Sequence, residues 1–108
     1  MNTPPPTQSS SVITYVFRGD LLSTNAAAAQ AELSRLMGAD DRWKTIVLDL
    51  RAARIVDSVG LNLIVSIIRG ARPAGRSVRV VVSNQNVRRV LAFTRIDQHA
   101  EVVVEEDR

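Results

Sequence analysis

The chain has 108 residues, of which 45% are hydrophobic and 23% charged, the size and balance of one globular domain with its own core. It has no cysteine and one histidine, His99, which excludes disulfides and thiolate metal sites and leaves little for a histidine-based triad or metal cluster. The net charge is only +3; the pI near 10.5 exaggerates it because Lys44 is the sole lysine and arginine titrates very high, and the arginines are spread along the chain. With no basic cluster and few aromatics to stack bases, direct nucleic-acid binding is not expected.

In chain order, residues 1–11, "MNTPPPTQSSS", are rich in Pro, Ser and Thr and are expected to be a disordered leader, with the folded domain over 12–108. The leader lacks the basic patch and apolar core of a secretory signal, and no apolar run approaches a membrane span, so a cytoplasmic protein without membrane insertion is the expectation. "VITYVFRG" (12–19) reads as a strand. "DLLSTN" leads into "AAAAQAELSRLMG", a helix that Ser23, Thr24 or Asn25 can cap and Gly38 can stop, with Ala26, Ala29, Leu33, Leu36 and Met37 as its apolar stripe. "TIVLDL" (45–50) is nearly continuous in apolar residues, as in a strand covered on both faces. A helix follows from about Asp57 to Ala71 and is broken by "RPAGR". "SVRVVVS" is a third strand. "NQNVRRVLAFTRI" is a helix capped by Ser83 or Asn84, and "AEVVVEE" is a last strand or extended tail. This alternation predicts an α/β fold: a single domain with a mostly parallel central sheet of about four to five strands packed by helices.

No Gly-rich phosphate loop and no nucleophile elbow occurs. Asp40 with Asp41 and Glu105 with Glu106 are adjacent acids in polar segments, without the spacing of an acid/base pair. No catalytic residue, metal site or cofactor is therefore expected, and an enzyme is not the expected reading.

"IVDSVGLNLIV" (55–65) carries the most information. At about 100° per residue, Leu61, Ile64, Val65, Ile68 and Ala71 share one helix face, with Leu63 and Ile67 at its margin. The apolar arc spans about 200°, wider than the ~100° stripe that packs a helix on a sheet. Either a neighbouring helix covers Leu63 and Ile67, or they belong to a partner surface. At the front, Asp57 or Ser58 can cap the free N–H groups of the first turn. A serine hydroxyl at this position is also open to a modifying enzyme, and a phosphate there would meet the helix N-terminus on one side and Asp57 on the other.

Asp57, Ser58, Gly60 and Leu61 after an apolar strand and short loop match the D-S-x-G-L element of the STAS domain family, with Val59 at its variable position. Val87 to Leu91, "VRRVL", resemble its second signature, and "FRGDLLSTNAAAA" is similar to its first strand, loop and helix. Within that family the chain most resembles the bacterial anti-sigma factor antagonists. The resemblance implies a phosphorylation-controlled binding module in a partner switch that regulates transcription. The unphosphorylated protein would bind an anti-sigma factor that is also a serine kinase; phosphorylation of Ser58 would break that complex, and a PP2C-type phosphatase would restore it. It implies a partner-facing set of Asp20, Ser23, Thr24, Asp57, Ser58, Val59, Gly60, Asn62, Leu63, Ser66 and Ile67. Domains of this kind also serve as non-switching subunits of lipid ABC transporters or of signalling scaffolds. The chain departs from the family pattern at Leu22, where relatives often carry an acid, and at Asn62 and Arg95, where they often carry glycine. It also ends soon after "EVVVEEDR", where relatives often add a final helix.

Overall fold

The computed structural model describes residues 11–39 and 42–105. Residues 1–10 of the expected leader, the acidic pair Asp40 and Asp41, and Glu106 lie outside the described residues; Ser11 already accepts a hydrogen bond from the Lys44 N–H (2.8 Å). The elements are β1 (Val12–Val16), α1 (Ala26–Ala39), β2 (Thr45–Leu50), α2 (Ser58–Ala71), β3 (Ser77–Val82), α3 (Gln85–Phe93) and β4 (Glu101–Val104), with 3-10 turns at Arg72–Ala74 and Ile96–Gln98. The four strands lie in the order β1-β2-β3-β4 and every pairing is parallel. Each crossover carries one helix, the solution a parallel pair requires. The result is a single α/β domain whose four-stranded parallel sheet is packed by three helices, within the expected range of strands.

Period-two alternation puts Ile13, Tyr15, Ile46, Leu48, Leu50, Val78, Val80, Val82, Val102 and Val104 on the helix-covered face, where they join one core with Leu33, Ile64 and Leu91. Among the described residues, covering on both faces, expected for β2, is not observed. The opposite face carries Thr14, Ser77, Arg79 and Glu101 exposed and Val47 half-buried. A continuous apolar run satisfies one buried face and a central position equally well, so the pattern alone did not count the layers. Asp49 is nearly buried on that open face because the Arg51 guanidinium folds over it, with contacts of 2.9–3.3 Å. This pairing holds its carboxyl below the usual carboxylate range.

Helix α1 settles the wide apolar arc of α2. Its buried residues, Ala26, Ala29 and Leu33, recur at helical spacing, and α1 packs beside α2 as well as against β1. Leu63 and Ile67 are each only 5% exposed and belong to the core. Two neighbours, sheet and helix, therefore account for the arc. Burying each side chain stabilises the domain by about 1.5–3 kcal/mol.

Two helix starts decide between the alternatives left open by the sequence. Neither Ser23 nor Thr24 caps α1. They sit in an exposed turn, and Asn25 turns its side chain back, accepting from Leu22 N (2.9 Å) and donating to Asp20 O (2.7 Å). Asn84 rather than Ser83 caps α3, accepting from Val87 N at 2.9 Å, while the Ser83 hydroxyl donates to Arg51 O at 2.7 Å. Gly38 does not stop α1, which continues to Ala39.

Candidate functional site at the start of the second helix

The loops after β1 and β2 leave the carboxyl ends of adjacent parallel strands, the edge where open α/β sheets carry their sites. Backbone bonds join them: Leu21 N–H donates to Ile55 O (3.0 Å) and Asp57 N–H to Leu21 O (3.1 Å), forming an isolated parallel bridge between Leu21 and Val56. The sheet is thus extended by one rung beyond its regular strands.

Two aspartates tighten this junction. One carboxylate oxygen of Asp20 accepts the N–H groups of Arg54 (2.7 Å) and Ile55 (3.1 Å). Asp57 is the N-cap of α2: its Oδ1 accepts from Gly60 N (2.9 Å), and its Oδ2 accepts from Ser23 N on the other loop (2.8 Å). The Gly60 and Ser23 N–H groups, in that order, hold the Asp57 carboxyl below the usual carboxylate range. Short acidic side chains suit both jobs, because each offers two oxygens and no donor to backbone amides that helix ends and turns leave free.

Gly60 is fixed by a close approach. A β-carbon there would stand 2.6 Å from the Leu21 carbonyl oxygen and 2.7 Å from Leu21 Cγ. The glycine of the D-S-x-G-L element is therefore what lets the Asp20–Asn25 loop lie against the first turn of α2. Gly60 is buried and offers no side chain, so it shapes the expected partner surface without belonging to it. Leu63 and Ile67 leave that surface as well, being covered by α1 and the sheet.

Ser58 occupies the first helical position, immediately after the cap. It is exposed, and its hydroxyl has no partner among the described residues. With Asp57 as the cap, the serine is left over from the structural work at this helix start. Asn62 and Ser66 follow it at one-turn intervals and are also exposed, with the Ser66 hydroxyl donating to Leu63 O (2.8 Å). Ser23 and Thr24 are exposed on the adjoining turn. The structure thus brings Ser23, Thr24, Ser58, Val59, Asn62 and Ser66 onto one outer surface, braced from behind by Asp20 and Asp57.

Sequence reasoning overlooked Ile55. It is 57% exposed and Val59 43% exposed, so one large apolar side chain is exposed three residues before Ser58 and another immediately after it. The signal was present: Ile55 and Val56 adjoin in the loop, and the alternation that buries Val56 at the bridge must turn Ile55 outward. The surface offers a nucleophile for modification and an apolar-polar contact patch. Among the described residues no group of three or more His, Asp or Glu side chains is placed to hold a metal ion. No described helix is long and apolar enough to cross a membrane.

A family model of the STAS domain matches residues 3–106. Among solved structures, a candidate anti-sigma factor antagonist from Thermotoga maritima shares 23% identity, with 87% of this chain and 80% of that one aligned at a TM-score of 0.73. The anti-sigma factor antagonist SpoIIAA, solved in its unphosphorylated form, shares 14% identity over 92% of this chain and 83% of its own, with a TM-score of 0.66. The STAS domain of a SulP transporter from Vibrio cholerae shares 20% identity over 87% and 74% of the two chains, with a TM-score of 0.69. At these identities the likeness concerns the fold.

Proposed function

This chain belongs to the STAS domain family, and from that premise we propose that it is an anti-sigma factor antagonist whose binding is switched at Ser58. Unphosphorylated, it binds an anti-sigma factor that is also a serine kinase. That kinase phosphorylates Ser58 and dissociates, and a PP2C-type phosphatase resets the module in the cytoplasm. The chain is the substrate of this chemistry and not its catalyst.

The observation that carries the proposal is the division of labour at the helix start. Asp57 makes the cap and the cross-loop bond, and Ser58 is exposed without a partner among the described residues. Two physical consequences favour a switch at the interface over a rearrangement within the domain. A kinase can reach the hydroxyl without breaking an intramolecular bond. The phosphate it adds carries about −1.5 to −2 charge and stands next to a carboxylate that already occupies the Gly60 N–H. Ser58 is exposed, so the dianion stands on the same outer surface as the exposed Val59 that follows it. Desolvating it against a docked partner costs far more than desolvating a hydroxyl.

The test is phosphosite mapping by mass spectrometry after incubation with the cognate kinase and Mg-ATP, with phosphate expected on Ser58. An active kinase that leaves Ser58 unmodified refutes the proposal. The competing reading, a STAS subunit held permanently in a transporter or scaffold, is kept in view by the SulP neighbour. It requires a stable complex with a transporter component that Ser58→Asp leaves intact.

A further inference from the structure

At the far end of α2 from Ser58, a cleft of about 650 Å³ opens between the last turns of the helix and the segment following α3. That volume lies within the range of small-molecule sites, and so does the design of an apolar floor with a few convergent polar groups. Val65, Ile68 and Ile96 form the floor, and Arg69, Arg72 and His99 stand around it.

The chemistry of this rim is one-sided. No carboxylate of a described residue lines the cleft. Arg51 and Arg79 pair with acids on the open sheet face, whereas no carboxylate among the described residues pairs with Arg69 or Arg72. Arg72 Nη1 instead lies 2.9 Å from His99 Nδ1. A guanidinium only donates, so in this contact Nδ1 accepts and Nε2 is the ring nitrogen left to donate. Thr94 also lines the cleft, but its hydroxyl donates to Leu91 O at 2.9 Å and has no proton to offer. The cleft therefore presents three donor groups, two of them cationic, and no acid to neutralise them.

Arginines near a helix C-terminus also offset the helix dipole. That end carries only about half a negative charge, against two full positive charges here. A second observation points the same way. Arg95 adopts φ 62° and ψ 22°, a left-handed conformation that favours glycine, between the cleft residues Thr94 and Ile96. A further exposed cation is kept beside the cleft where the backbone asks for no side chain.

We propose that this cleft binds a small organic phosphate, with Arg69, Arg72 and the Nε2–H of His99 on the phosphate oxygens and the organic part on Val65, Ile68 and Ile96. The assignment does not depend on Ser58. The test is an NMR titration of the full chain with phenyl phosphate, following backbone amides and arginine Nε–H signals, with inorganic phosphate and phenol as separate arms. Saturable shifts confined to residues 65–72 and 94–99 are expected, with inorganic phosphate and phenol each binding at least tenfold more weakly. Arg69→Gln and Arg72→Gln are each expected to weaken phenyl phosphate at least fivefold while the spectrum remains that of a folded domain. Arg95→Gly is expected to raise the melting temperature and weaken binding. Absence of saturation, equal binding of inorganic phosphate, or affinity indifferent to both glutamine variants overturns the proposal.

Discussion

Two of the helices begin in the same way and end up with different capacities. Both α2 and α3 follow a parallel strand, and each is capped by a short side chain accepting an N–H three residues on: Asp57 from Gly60 and Asn84 from Val87, both at 2.9 Å. After the cap, α2 presents Ser58 and α3 presents Gln85. The larger difference lies behind them. The second oxygen of Asp57 reaches Ser23 on another loop, and Gly60 lets Leu21 press against the first turn. The Asn84 amide also reaches another loop, but through a longer bond to Ala53 O, at 3.4 Å, and with no such close backbone approach behind it. A cap by itself is a structural device. A cap that also binds a second loop pressed against its helix presents its neighbour on a braced surface assembled from two segments far apart in sequence.

The strongest way to break the contrast is Gly60→Ala. Its new methyl must displace the Leu21 backbone, so overpacking is expected to destabilise the domain by about 1–3 kcal/mol. For a domain of this size that lowers the melting temperature by several degrees, roughly 4–8 °C per kcal/mol. Calorimetry showing no change would mean that the loop yields freely and the bracing is unimportant. The second variant separates signal from scaffold. Ser58→Asp is expected to weaken binding to the anti-sigma kinase by well over tenfold, more than about 1.4 kcal/mol. Ser58→Ala should still bind, and Gln85→Asp, the matching change at the other helix start, should not interfere. Because the Ser58 hydroxyl has no partner among the described residues, both Ser58 variants should melt close to the parent. Equal affinities for the Asp and Ala variants would contradict the switch. Third, Asn84→Ala removes a cap and is expected to cost about 1 kcal/mol in urea unfolding, with kinase affinity unchanged.

What the chain disclosed in advance follows the same divide between local and distant. The order of elements, the end of α2 at Ala71, and the alternative caps Asp57 or Ser58 and Ser83 or Asn84 were legible, because capping and periodicity are local rules. The failures concern contacts across the sequence. Ser23 and Thr24 look like caps for α1, but the Ser23 N–H is directed to a carboxylate 34 residues away. Leu63 and Ile67 could be read as covered or as exposed, and only the placement of α1 decided. Gly60 matched a motif, yet its reason, the Leu21 carbonyl 2.6 Å from where a β-carbon would stand, belongs to the tertiary structure.

The smallest expected effect is also the most local. The Asp57 carboxyl is held below its ordinary value by the Gly60 and Ser23 N–H groups, so the folded state keeps it ionised at a pH where the unfolded chain has begun to bind the proton. Its contribution is therefore complete above the unfolded value of about 3.9 and is lost as pH falls through the lower folded value. Asn84 makes an equivalent cap bond and does not titrate. Acidification from about pH 6 to about pH 3 should therefore loosen the first helix start before the second. Amide hydrogen exchange should show falling protection at Gly60 and Ser23 while Val87 holds. Asp49 also has a lowered carboxyl, but its Arg51 pairing lies on the open sheet face and does not touch either cap, so a global acid effect would reach all three amides together. Asp57→Asn keeps an acceptor for Gly60 N and removes the titration; in that variant the two helix starts should respond to acid alike. If Gly60 and Val87 already lose protection in parallel in the parent, the cross-loop carboxylate contributes nothing that an ordinary cap does not.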